Sequence, residues 1–70
     1  MNYMPVSSSV VSALAYEARS KTLGVRFHNG TEYHYLGVPR EIFENMRSAP
    51  SIGQFLNESV KESYPFTRIA

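Results

Sequence analysis

His28, Glu32 and His34 stand within one short stretch of the chain. Two imidazoles and a carboxylate could hold a metal ion or pass a proton. With no cysteine anywhere and no second carboxylate beside them, the ligand set is incomplete, and a solvated polar face is the plainer reading. The run Ser7-Ser8-Ser9 offers hydroxyls, yet no Gly-x-Ser-x-Gly turn surrounds them to expose a nucleophile. These inventories point away from an enzyme and call for no metal or cofactor. Binding chemistry is better supplied. Arg19, Lys21, Arg26, His28 and His34 form a local basic set that could meet phosphates or an acidic partner. Tyr33 and Tyr35, two residues apart, could stack bases if exposed or hold a core if buried. Ser51, ahead of an apolar run, could bind an anion at a helix start or simply cap the helix.

Strands must position most of these groups. Leu23, Val25 and Phe27 alternate with Gly24, Arg26 and His28, the cleanest two-residue period in the chain. A preceding strand is expected over Ser9–Tyr16, where imperfect alternation suggests a bulge or burial of both faces. The polar segment Glu17–Lys21 between them has hairpin length. Asn29-Gly30 signals a second hairpin into a strand from Thr31. Parity then decides what this hairpin buries. A two-residue loop would set Phe27 against Glu32 and Arg26 against Tyr33. A three-residue loop, His28-Asn29-Gly30 with Gly30 left-handed, pairs Phe27 with Thr31, Val25 with Tyr33 and Leu23 with Tyr35. The same register sets Arg26 opposite Glu32 and Gly24 opposite His34. It turns both tyrosines towards the core and shows Glu32 and His34 to a partner.

Beyond Gly37 the apolar spacing widens. Pro39 suits a helix start, and Ile42, Phe43 and Met46 share one helical face before Ser48-Ala49-Pro50 ends it. Ser51-Ile52-Gly53-Gln54 has the form of a capping box for a second helix, with Ile52, Phe55, Leu56 and Val60 as its apolar stripe. Tyr64-Pro65-Phe66 closes that helix and continues as an extended aromatic tail. The fold expected is α+β, a three-stranded antiparallel meander followed by two helices packed on one face. Residues 1–7 are read as a loosely held arm and 8–70 as a single domain.

Composition sets the scale. A 70-residue chain without cysteine has no disulfide or thiolate-zinc support, so its five Tyr and four Phe must carry much of the core. Seven Lys plus Arg against six Asp plus Glu give a formal charge of +1, so any electrostatic recognition is local. No apolar run approaches the ~20 residues that span a bilayer, and no signal segment is evident. A cytoplasmic protein without a membrane partner is the expectation.

Taken together, the ordered motifs resemble a known family. Ser8-Ser9, Tyr16-Glu17, Ser20-Lys21-Thr22-Leu23, the block Tyr33-x-Tyr35-x-x-Val38-Pro39, the block Ser51-x-Gly53-x-Phe55-x-Asn57, and Tyr64-Pro65 look like a KTSC domain. That family takes its name from the C-terminal segment of some lysyl-tRNA synthetases and also occurs as a stand-alone small protein. The resemblance implies a small binding module of unestablished function, for which RNA is the suggested partner. It brings no catalytic residues with it. A protein-interaction or self-association module is the alternative, motivated by open sheet edges and many aromatics. Where many relatives are basic near the end of the second helix, this chain has the mixed set Glu58, Ser59, Lys61, Glu62 and Ser63. An RNA surface there would be weakly charged.

Overall fold

A computed structural model describes all 70 residues. The chain forms five strands in one antiparallel sheet of order β1-β2-β3-β4-β5, where β1 is Met4–Pro5, β2 Val11–Glu17, β3 Thr22–Phe27, β4 Glu32–Tyr35 and β5 Phe66–Arg68. Helices α1 (Arg40–Arg47) and α2 (Ile52–Phe55) lie between β4 and β5 in sequence. A π-helical turn, Leu56–Val60, prolongs α2. The three-stranded meander expected from periodicity is therefore the centre of a larger sheet. The two further strands are two and three residues long. Segments so short carry no readable alternation, and both are exposed along their whole length. One strand lies in the segment expected to be an arm, the other in the extended tail.

The central register follows from the pleat. Val25 pairs with Tyr33, Leu23 with Tyr35, Arg26 with Glu32 and Gly24 with His34. The loop closes through Gly30 N–H donating to the Phe27 carbonyl (3.0 Å) and Phe27 N–H to Thr31 (2.9 Å). Gly30 has φ +93°, a conformation that a side chain would strain. This is the three-residue loop.

In β2 the alternation breaks at Ser12, where the register shifts between Val11 and Ala13. The extra residue turns Val11 onto the same face as Leu14 and Tyr16, although simple alternation would separate them. Val11 pairs with Phe27, Leu14 with Val25 and Tyr16 with Leu23, so one face becomes continuously apolar. The opposite face of β2 carries Ala13 and Ala15, which are also buried.

The helices cover the apolar face. Val38, Phe43, Met46, Ile52, Leu56 and Val60 join Val11, Leu14, Leu23, Val25 and Tyr35 in one core cluster. Pro39 precedes the first residue of α1 with φ −64° and ψ 149°, extended geometry that starts the helix without a side-chain cap. The Tyr16 ring stacks on Phe43 at 5.1 Å, and its hydroxyl donates to the Val38 carbonyl at 2.6 Å, tying the sheet to the entrance of α1. Ser51 caps α2 by accepting from Gln54 N–H. The reciprocal half of the box is absent, because the Gln54 side chain donates forward to Glu58 at 3.1 Å.

Candidate functional site

The basic residues singled out from sequence do not form one patch. Lys21 and His28 flank opposite ends of β3, six residues of strand that span about 20 Å. Arg19 lies in the exposed turn beside Lys21. Only Arg26 and His34 come together, on the sheet face away from the helices, and there they meet Glu32. Arg26 Nε lies 3.3 Å and His34 Nε2 3.6 Å from the Glu32 carboxylate. Across the group lies Tyr3, whose hydroxyl donates to Glu32 Oε2 at 2.8 Å while the Arg26 guanidinium sits 4.0 Å from its ring centre. Gly24 makes room for this ring. A Cβ there would fall 2.9 Å from Tyr3 Cζ, closer than side chains tolerate. The hydrogen bond from Tyr3 holds the Glu32 carboxyl below its ordinary pKa, opposed by desolvation and assisted by Arg26. Desolvation, and then the same hydrogen bond, raise the Tyr3 phenol. The outer face is thus largely satisfied by its own partners.

His28 has a different task. Its Nε2–H donates to the Ser8 carbonyl at 2.8 Å, and its backbone N–H donates to Val10 at 3.0 Å. These bonds fasten the serine run to the hairpin end of β3. Ser8 Oγ in turn accepts from the backbone N–H groups of Val10 and Val11, each at 3.2 Å. The imagined set of His28, Glu32 and His34 is not assembled, since His28 faces this strap and not the Tyr3 cluster. No three His, Asp or Glu side chains converge elsewhere.

What the fold does assemble is a groove on the helix side. Its larger cleft, about 790 Å³, lies between Ser7–Val10 and the helical segment from Pro50 to Lys61, with Phe27 also lining it. Gly53 brings that segment against Val10; a Cβ on the glycine would touch Val10 at 3.6 Å. A second cleft, about 440 Å³, is lined by Tyr33, Tyr35, Asn57, Lys61, Glu62 and Phe66. Asn57 and Lys61 line both, so the two clefts adjoin. They stand four residues apart across the π-helical turn, in which Lys61 N–H donates to the Leu56 carbonyl at 2.9 Å. Wide turns of this kind recur at functional sites.

Rings pave the second cleft. Tyr33 stacks on Phe66 at 5.2 Å with 15° between planes, and Tyr35 meets Phe66 at 5.9 Å. Phe27 abuts Tyr33 edge-on at 5.7 Å. Tyr35 is buried at 1% exposure, and that burial raises its phenol pKa, with the neighbouring Tyr33 adding to the effect. Phe66 remains 55% exposed. Sequence reasoning marked Tyr33, Tyr35, Ser51, Gly53 and Asn57 individually but not the groove they share. Lys61 and Phe66 were seen only as a charge in a mixed face and a residue of the tail. Val38, Pro39 and Phe55, also marked, serve the core and the helix entrance.

Comparisons with known proteins identify the family. Residues 7–64 match the family model described as the KTSC domain. A small protein of Tsukamurella paurometabola is 38% identical over 60 residues, 86% of this chain and 90% of its own length. A lysine–tRNA ligase of Nostoc punctiforme is 34% identical over 62 residues; the match takes in 89% of this chain but spans only 11% of the ligase. The crystal structure of a KTSC domain protein from Yersinia pestis superposes with a TM-score of 0.92 at 33% identity, covering 99% of this chain and 97% of that one. On the fold, the ordered motifs and these matches, the chain belongs to the KTSC domain family.

Proposed function

We propose that the domain is a non-catalytic module that binds single-stranded RNA along the helix-side groove. The observation that carries this reading is the make-up of the groove. It presents serine hydroxyls, an amide at Asn57 and one ammonium at Lys61 beside a paved aromatic surface. Unpaired bases are bound in this way, by stacking and edge hydrogen bonds with few phosphate contacts. The match to a segment of a lysine–tRNA ligase supports RNA as the partner class. The outer face is a poorer candidate, because Glu32 and Tyr3 already occupy Arg26. Titration of a labelled single-stranded RNA and a stem-loop at low and moderate salt tests the reading. Binding of the single strand in preference to the duplex stem is expected. No binding above the nonspecific level at low salt overturns it.

A second reading, association with another protein chain, is favoured by the outer edge of β5. Phe66 and Ile69 are 55% and 49% exposed beside it, and an open edge can accept another strand. Sedimentation over a wide concentration range tests the self-associating form, which a strict monomer would overturn.

A further inference from the structure

One polar group lining the second cleft has no partner within the protein, and since no buried side-chain polar atom is left unpaired, it opens onto the cleft. Tyr35 is 1% exposed, lines the cleft, and forms no hydrogen bond through its hydroxyl, whereas Tyr3 and Tyr16 both have partners for theirs. Resting on the RNA reading above, we propose that this cleft is a subsite for one unpaired nucleobase, stacked on the Phe66–Tyr33 pair and read at its edge by Asn57 and the Tyr35 hydroxyl.

Three features specify the ligand. The first is shape: Phe66 has one neighbour stacked at 5.2 Å and more than half its surface free, leaving aromatic area for a flat ring. The second is edge chemistry. The Asn57 amide carries a donor and an acceptor, and the Tyr35 hydroxyl, a phenol whose pKa burial raises further, adds another donor. A base presents mixed donors and acceptors in one plane, whereas an apolar peptide side chain would leave both groups unpaired at a cost. The third is charge. Lys61 supplies one cation with no ion pair, and Glu62 in the same cleft offsets further anion binding. A free phosphate would use Lys61 and waste the rings. A nucleotide with its base on the rings and one phosphate on Lys61 uses all of them, and Glu62 can then accept from a 2′-hydroxyl or an exocyclic amine. The cleft volume of about 440 Å³ falls within the range of small-molecule sites.

The test uses the whole chain and short single-stranded homo-oligoribonucleotides followed by fluorescence anisotropy. Phe66→Ala is expected to weaken binding about tenfold or more, and Tyr35→Phe by about fivefold. Because the hydroxyl has no partner inside the protein, Tyr35→Phe leaves the thermal unfolding curve in place, which separates lost recognition from lost folding. One phosphate contact predicts a shallow slope of log K on log salt, about −0.7. Wild-type binding that survives Phe66→Ala, Tyr35→Phe and Asn57→Ala within about twofold, well under the cost of one lost stacking contact, overturns the subsite and leaves the RNA reading standing. A slope several times steeper also overturns it, by requiring several phosphates. Absence of any oligonucleotide binding at low salt overturns both.

Discussion

On its helix-covered face the sheet gives Val11, Leu14, Leu23, Val25 and Tyr35 to a core that includes no charged residue, while on its outer face Arg26, Glu32 and His34 gather under one ring, Tyr3. Both faces limit contact with water, by different means and the outer one only in part, since the Arg26 side chain stays 46% exposed. The first does so with two helices and many apolar contacts. The second relies on a short strand, one hydrogen bond and a glycine. The difference is one of covering: the apolar face holds the fold, and the rim of that face, where the end of the second helix borders the sheet, leaves Asn57 and Lys61 lining open clefts. The ionic groups on the outer face are occupied with one another. Charge in the sequence is therefore a poor guide to which side chains this domain leaves without partners.

The comparison is broken most severely from the core side. Leu14→Ala is expected to cost about 3 kcal/mol, a large part of the ~5 kcal/mol available to a domain of this size, read as a lower urea midpoint. Gly24→Ala attacks the other face. The new methyl displaces Tyr3, and a loss of about 1 kcal/mol is expected, with increased proteolysis ahead of Val11 while the core stays intact. Acid sharpens the contrast further. The folded Glu32 pKa lies below its ordinary value of 4.5, so the contribution of the ionised carboxylate is present above pH 4.5 and is lost as pH falls through the lower folded value. Thermal melts should therefore fall on acidification below that point, and Tyr3→Phe should flatten the fall. The Tyr3 phenol is shifted the other way, so its contribution is present below pH 10 and is lost only in stronger alkali. The smallest effect belongs to neither face. Lys21 adopts φ +54°, a left-handed conformation that asparagine accepts more readily. Lys21→Asn should stabilise by about 0.5 kcal/mol. Combined with Arg19→Ala, it should leave RNA affinity within about twofold, the loss expected if neither residue contacts a phosphate.

What could be read from the residues followed the reach of each signal. The β3–β4 pairing was legible because side chains alternate strictly and Asn29-Gly30 limits the loop, so two registers competed and only one gave an apolar face. The bulge at Ser12 left a trace as broken alternation, although its effect, turning Val11 inward, needed the pairing with Phe27. Met4–Pro5 and Phe66–Arg68 were not legible as strands, since their pairing depends on neighbours distant in the chain. Tyr3 looked like part of an arm because nothing local reveals that Gly24 makes room for it. The groove was hidden for the same reason: its walls come from Ser7–Val10, Phe27, Pro50–Lys61 and Phe66. The ordered motifs led to the right family without showing that several of them border a common space.

The wide turn at Leu56–Val60 bears on how much change in length the domain can absorb. In such a turn residues four apart nearly eclipse, so Leu56 and Val60 both point inward while Asn57 and Lys61 both line the groove. Deleting one residue there would return the segment to ordinary α-helical winding and could keep its ends in place. Asn57 and Lys61 would then stand three apart on an α-helix and remain neighbours on one face. The segment thus behaves as a one-residue insertion that the helix absorbs locally, so its removal shortens the chain without parting the groove's amide from its ammonium.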